Sequence, residues 1–302
     1  MPFRLIAAPF TAMHADGSLN LSAVEPQGTS LAESGVTGVF VAGSTGEGMS
    51  LTLDERFQLA ERWNEVGRPL GLEVIVQVGH NCQEDAIRLA AHAADLGVDA
   101  IAASAPNYFK PATVSVLLDF CAPIADAAPL LPFFFYDIPG MTGVRLSMVE
   151  FLTKGRQRIP GLVGIKYSNL DLVQLQECVR LDNGRFEVLF GCDEALLAGY
   201  VLGVCGAVGS TYNFAAPLYC RMLDVFESGD HAEARRLQAA SVSLVRTLEA
   251  YSYLPAAKFA MSLLGIDCGP VRPPLQDLSP EQKATLRATL LESDFQKLCR
   301  VH

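Results

Sequence analysis

The segment Leu162-Val163-Gly164-Ile165-Lys166-Tyr167-Ser168 closes an apolar run on a lysine. The run is short enough for a buried strand, and the polar residues that follow, Tyr167-Ser168-Asn169-Leu170-Asp171, read as a loop entering a helix. Lys166 therefore falls at the carboxyl end of a strand. An ammonium partly desolvated among apolar neighbours loses basicity, and the free amine can attack a ketone. The plain alternative is a strand-end lysine whose stem lies on the protein while its head reaches solvent.

Three other places carry residue types that suit such an amine. Gly43-Ser44-Thr45-Gly46-Glu47-Gly48 follows an apolar strand. Its glycines let backbone approach a ligand, and its N–H groups and hydroxyls can hold a carboxylate or phosphate. It can equally be a plain glycine-rich turn. Phe133-Phe134-Phe135-Tyr136-Asp137-Ile138-Pro139-Gly140 ends a strand on a phenol. That phenol can relay a proton to or from a substrate hydroxyl, or rest buried against a backbone carbonyl. Gly191-Cys192-Asp193-Glu194 and Gly209-Ser210-Thr211-Tyr212-Asn213 supply carboxylates and hydroxyls suited to a polyol. Asp193 has the simpler option of capping a helix that begins near Glu194.

The elements that must position these residues alternate along the chain. Candidate strands are residues 4–8, 38–41, 73–78, 100–103, 131–136, 162–166, 186–190 and 206–208. Helical patterns lie between most of them. Thr52-x-x-Glu55 reads as a capping box, and Ser147-x-x-Glu150 and Ser279-Pro280-Glu281-Gln282 repeat the device. Strand followed by helix about eight times points to a closed parallel α/β barrel, the (β/α)8 TIM barrel, with chemistry at the carboxyl ends of its strands. A doubly wound sheet is the other solution, but no G-x-G-x-x-G follows a strand. After about residue 215 the text becomes helical throughout, at 217–227, 231–250, 255–264 and 279–291. Residues 1–228 are thus read as the barrel and 229–302 as a helical extension packed on it, with no linker that would let it swing.

Composition excludes several classes of partner. The chain has 302 residues, half of them apolar, yet every long apolar stretch is broken by charge, glycine or proline, so no transmembrane span is indicated. The opening Met1-Pro2-Phe3-Arg4-Leu5-Ile6-Ala7-Ala8-Pro9 is too short and too soon broken for a signal peptide and reads as a first strand, which makes a cytoplasmic enzyme the default. A net charge of −10 opposes binding to nucleic acid or an anionic membrane, though a single local anion site remains compatible with it. The cysteines, at 82, 121, 178, 192, 205, 220, 268 and 299, are scattered without C-x-x-C or paired histidines, so neither a disulfide framework nor a metal site is expected.

Gly43-Ser44-Thr45-Gly46-Glu47, the run from Tyr136-Asp137-Ile138-Pro139-Gly140 to Met141-Thr142-Gly143, and Gly164-Ile165-Lys166 resemble the three motifs of the class I pyruvate aldolases that include dihydrodipicolinate synthase and N-acetylneuraminate lyase. Within that family the chain looks most like the N-acetylneuraminate lyases. Ser44 in place of the synthases' usual threonine, Gly191-x-Asp193-Glu194, residues 206–213, and Gly269-Pro270 with Pro273-Pro274-Leu275-Gln276 lean that way. Met141 stands where the synthases carry an arginine for their substrate's carboxylate, a task no thioether performs. Cys192 and Asn107-Tyr108-Phe109 depart from the family's usual residues.

The resemblance implies roles. Lys166 forms a Schiff base with the C2 ketone of a 2-keto acid, Ser44 and Thr45 hold its carboxylate, and Tyr136 relays the proton. Ser168, Gly191, Asp193, Glu194 and Ser210 orient the polyhydroxylated tail. Ser44 and Tyr108 join Lys166 and Tyr136 as catalytic candidates, Tyr108 reaching in from a neighbouring subunit, since similar enzymes are homotetramers built as dimers of dimers. The implied reaction is the reversible cleavage of N-acetylneuraminate to N-acetylmannosamine and pyruvate, with no metal or cofactor. Other members, a dihydrodipicolinate synthase or a deoxy-keto-sugar-acid aldolase or dehydratase, stay open, as does a non-catalytic sugar-acid sensor. Met141 and Asp193-Glu194 speak against the synthase, and the retained Lys166 and Tyr136 against the sensor.

Overall fold

The computed structural model describes residues 3–293 and 295–299. Among them, parallel strands β1 (Arg4–Ala7), β2 (Gly38–Val41), β3 (Glu73–Gln77), β4 (Ala100–Ser104), β5 (Phe133–Asp137), β6 (Leu162–Tyr167), β7 (Glu187–Phe190) and β8 (Gly206–Gly209) run in sequence order and close into a barrel, β8 pairing with β1. This is the expected (β/α)8 barrel. Strand ends differ from expectation by a residue or two, for local reasons. β5 starts at Phe133 because Pro132 has no N–H for the ladder; its carbonyl still accepts from Ile101 N at 2.9 Å.

Alternation along each strand divides the core in two. Ile6, Phe40, Ile75, Ala102, Phe134, Leu189 and Val208 fill the barrel interior. Leu5, Val39, Ile101, Phe135, Ile165 and Ala207 pack outward against the helices. At the barrel floor Arg4 pairs with Glu73 at 3.1 Å and with Glu187. Glycine is required beside this layer: a Cβ on Gly164 would stand 1.9 Å from the Glu187 carbonyl oxygen. The floor is thus closed by an ion-paired layer, and the cavity lies at the opposite rim.

The capping boxes at Thr52 and Ser279 are both complete. At Ser147 only half of the expected box forms. Ser147 Oγ accepts from Glu150 N at 3.2 Å, but the Glu150 carboxylate turns to Lys154 at 2.5 Å, an i,i+4 ion pair on the exposed face. The helix after β8 runs Tyr212–Glu227, starting earlier than the expected residue 217 and breaking at Ala215, where φ is −129°. Pro217 lacks the N–H that would continue the ladder through that turn.

Helices His231–Glu249, Tyr253–Ser262, Pro280–Glu292 and Phe295–Leu298 complete the described chain. The first of these buries Leu237, Leu244 and Leu248 and packs on the Tyr212–Glu227 helix and on the turn after β7. No described helix is long and apolar enough to cross a membrane.

Candidate active site

Period-two alternation turns Gly164 and Lys166 into the barrel and Ile165 and Tyr167 out of it. Ladder register then fixes the neighbours of Lys166: Tyr136 beside it on β5 and Leu189 on β7. Lys166 is 3% exposed, with Nζ 3.8 Å from the ring centre of Phe40 and 4.0 Å from that of Tyr136. Burial lowers its pKa to about 7, although the Asp193 carboxylate and Cys192 pull upward. Near neutrality a large share of the amine is therefore unprotonated.

The same burial pushes the Tyr136 phenol up to about 12, against bonds to Ser44 and Ser168 that favour the phenolate. Tyr136 thus keeps its proton at neutral pH and can donate it. Its oxygen stands 3.4 Å from Ser44 Oγ. The loop bearing Ser44 and Thr45 is tightly wound. Ala42 and Glu47 adopt left-handed backbone, with φ 56° and 52°, and a Cβ on Gly48 would lie 1.9 Å from the Ala42 carbonyl oxygen. Gly48 N bonds to Gly43 O at 3.1 Å, and Thr11 Oγ1 bonds to Gly46 O at 2.5 Å. These constraints present both hydroxyl-bearing residues to the cavity.

Asp193 opens the turn Asp193–Ala195 after β7 and does not cap it. Its Oδ2 accepts from Thr211 N at 2.9 Å and Thr211 Oγ1 at 2.6 Å, a bridge between the ends of β7 and β8. Its carbonyl accepts from Gln238 Nε2 and Ser241 Oγ, each at 3.2 Å. Burial raises the Asp193 pKa, and the Thr211 bonds oppose this. Two glycines make room here. A Cβ on Gly209 would fall 1.9 Å from Asp193 Oδ1, and one on Gly191 would fall 2.0 Å from Ser168 Oγ.

A cavity of about 420 Å³ brings together Lys166, Tyr136, Ser44, Thr45 and Ser168 with Gly191, Asp193, Glu194 and Ser210 on its other wall. Two larger surface clefts, about 570 and 880 Å³, include neither Lys166 nor Tyr136. Met141, 69% exposed, stands at the mouth. Tyr108 is not in the cavity of its own chain. It is 78% exposed, its ring packs edge-on against Phe109, and its backbone N–H bonds to Asn81 Oδ1 at 3.2 Å.

Sequence reasoning missed part of the wall. Glu249, Tyr253 and Val245 come from the helices after residue 228, and Tyr253 places its hydroxyl 2.6 Å from Ser210 Oγ. Nothing local in those helices marks them, because their pattern is that of any amphipathic helix. Phe40 was within reach: alternation in β2 puts it on the inner face. No group of three or more His, Cys, Asp or Glu among the described residues is placed to hold a metal ion, and the cysteines are free thiols.

The similarity of this chain to known proteins extends over all the elements that line the cavity. The model of the dihydrodipicolinate synthetase family matches residues 1–293. The N-acetylneuraminate lyase of Danio rerio is 41% identical over 275 residues, 90% of this chain and 90% of its own length. That of Pongo abelii is 39% identical over 295 residues, 96% of this chain and 92% of its own length. The solved structure of Proteus mirabilis N-acetylneuraminate lyase is 38% identical, with a TM-score of 0.94 over 97% of this chain and 99% of that one. With a match that spans the barrel and the helices after it, this chain belongs to the dihydrodipicolinate synthetase family.

Proposed function

We propose that the protein is a carbon–carbon lyase of the Schiff-base type, cleaving N-acetylneuraminate reversibly to N-acetylmannosamine and pyruvate. The observation that carries this reading is Lys166, buried against the faces of Phe40 and Tyr136 with its pKa lowered to about 7. Unprotonated Lys166 Nζ attacks the C2 ketone of the open-chain sugar acid while Ser44 and Thr45 hold the C1 carboxylate. Loss of water leaves an iminium. Phe40 and Tyr136 set their aromatic faces against that nitrogen and favour its positive charge.

The iminium withdraws electrons from C3–C4. As the C4 hydroxyl gives its proton to the Tyr136 oxygen and the phenol passes its own proton on through Ser44 to water, the C3–C4 bond breaks, releasing the aldehyde and leaving an enamine on Lys166. Protonation at C3 and hydrolysis return the amine and free pyruvate. Every step uses groups of this chain, the substrate and water, so the mechanism calls on no cofactor. Asp193, Glu194, Ser168 and Ser210 hold the tail hydroxyls. A site built to bond an OH rejects an analogue lacking it by about 10⁴-fold or more, so the tail wall selects the keto acid.

Met141 supports this substrate over that of a dihydrodipicolinate synthase, since its side chain offers the mouth no cation for a second carboxylate. In the same reading the enzyme is cytoplasmic and forms a dimer of dimers, with the exposed Tyr108 reaching a neighbour's site. The barrel ends near residue 228, and the later helices complete its wall. A substrate panel tests the reading. Pyruvate release from N-acetylneuraminate is expected, with no condensation of pyruvate and aspartate semialdehyde; the reverse preference would overturn it.

A further inference from the structure

The loop that carries Ser44 and Thr45 is anchored from behind by a buried ion pair. Glu47 Oε1 stands 2.6 Å from Lys258 Nζ, and the two side chains are 1% and 2% exposed. This is a charge contact rather than an aligned hydrogen bond; the hydrogen bond from Lys258 Nζ goes to Pro270 O at 2.8 Å. Glu47 Oε2 accepts from Arg272 N at 2.7 Å. The Arg272 guanidinium in turn bonds to Ser50 O at 3.0 Å, to Gly17 O and to Glu55. Loop residues 47–50 are therefore pinned to the helix Tyr253–Ser262 and to the segment after it.

Glu47 is also, with Ala42, one of the two strained residues of this loop. It holds φ 52° without being glycine, its N–H donates to Ser44 O at 3.1 Å, and its carbonyl accepts from Ser50 N at 2.7 Å. A side chain stays in left-handed backbone only where its surroundings over-determine it. Here those surroundings are Lys258 and Arg272. Neither Glu47 nor Lys258 lines the cavity that holds Lys166, so neither touches substrate there.

We infer that Glu47 and Lys258 are positioning residues for the keto-acid carboxylate, setting Ser44 and Thr45 through the ion pair between the anion loop and the helix Tyr253–Ser262. The inference rests on the aldolase reading of Ser44 and Thr45. Removing one partner strands a buried charge and weakens the fold, whereas Glu47→Gln with Lys258→Met removes both charges together. A slackened loop misplaces Ser44 and Thr45 while Lys166 keeps its surroundings.

The test measures the pyruvate concentration that half-saturates borohydride trapping of Lys166, beside KM, kcat and the acid limb of the pH profile. In the double variant, half-saturating pyruvate and KM rise about tenfold or more, within the roughly hundredfold that a 1 Å misplacement of a positioning group can cost, while the acid limb stays at the wild-type pH. Should the double variant not fold, Glu47→Asp, which keeps both charges but withdraws the carboxylate by one methylene, is read in the same assay, with a rise in the same direction. A lowered melting point with half-saturation and KM unchanged overturns the inference alone. Absence of any adduct in the wild type overturns the aldolase reading on which it stands.

Discussion

Burial leaves a large share of Lys166 as free amine near neutrality because losing water disfavours the ammonium more than the amine. With the pKa at about 7 in the folded protein and an ordinary value of 10.5, two consequences follow. The acid limb of kcat/KM for pyruvate release should fall with unit slope below about pH 7, as read from a pH–rate profile. Between the two values the unfolded chain binds more protons than the folded one, so stability rises with pH across that window. Lys166→Met removes the buried ammonium, so its melting midpoint should exceed the wild type's by several degrees near pH 6, and the gap should close by about pH 10. Tyr136→Phe should lower kcat by about 10²- to 10³-fold while barely moving the pyruvate needed for borohydride trapping. The ammonium and the phenol were legible in the sequence because each ends an apolar strand. Phe40 was not singled out, because an apolar residue in a strand has many ordinary reasons to be there.

At the scale of elements, strand register and glycines set the distances. Tyr136 and Lys166 face each other because β5 and β6 pair at those residues, and alternation sends both inward. Gly191 and Gly164 offer a contrast that a variant pair can read. A Cβ at Gly191 meets chiefly the Ser168 side chain, Oγ at 2.0 Å and Cβ at 3.0 Å, while one at Gly164 meets the Glu187 backbone. Gly191→Ala should fold with a lowered melting point, as Ser168 shifts, and lose catalytic efficiency by about tenfold or more. Gly164→Ala should fail to accumulate as folded protein, by circular dichroism of the soluble fraction. Equal behaviour of the two would contradict this division of roles. The strands were legible from alternation bounded by glycine and proline. The start of the Tyr212–Glu227 helix was not: Pro217 is a favoured first helical residue, whereas in the structure it stands inside a bent helix.

For the whole molecule, the helices beyond the barrel are part of the site. Gln238 and Ser241 hold the Asp193 carbonyl, Tyr253 meets Ser210, and Lys258 meets Glu47. A chain ended at residue 228 should therefore yield no soluble protein able to form the pyruvate adduct, as measured by trapping after expression; full adduct formation would contradict this. The barrel and the helical tail could be read from the order of periodicities. The tail's share of the cavity wall could not, since contacts between residues some 40 to 220 positions apart leave no local pattern. An overall charge of −10 does not exclude an anionic substrate, because one loop's N–H groups and hydroxyls can hold it locally.

The most direct measurement on the intact protein is borohydride reduction in the presence of pyruvate, followed by peptide mass mapping, beside pyruvate release from N-acetylneuraminate. The account predicts a reduced pyruvyl adduct on Lys166 alone, absent from Lys166→Ala, together with release of pyruvate from the sugar acid. An adduct without cleavage of N-acetylneuraminate would contradict the assignment of the tail wall. No adduct on Lys166 at saturating pyruvate would contradict the mechanism at its first step.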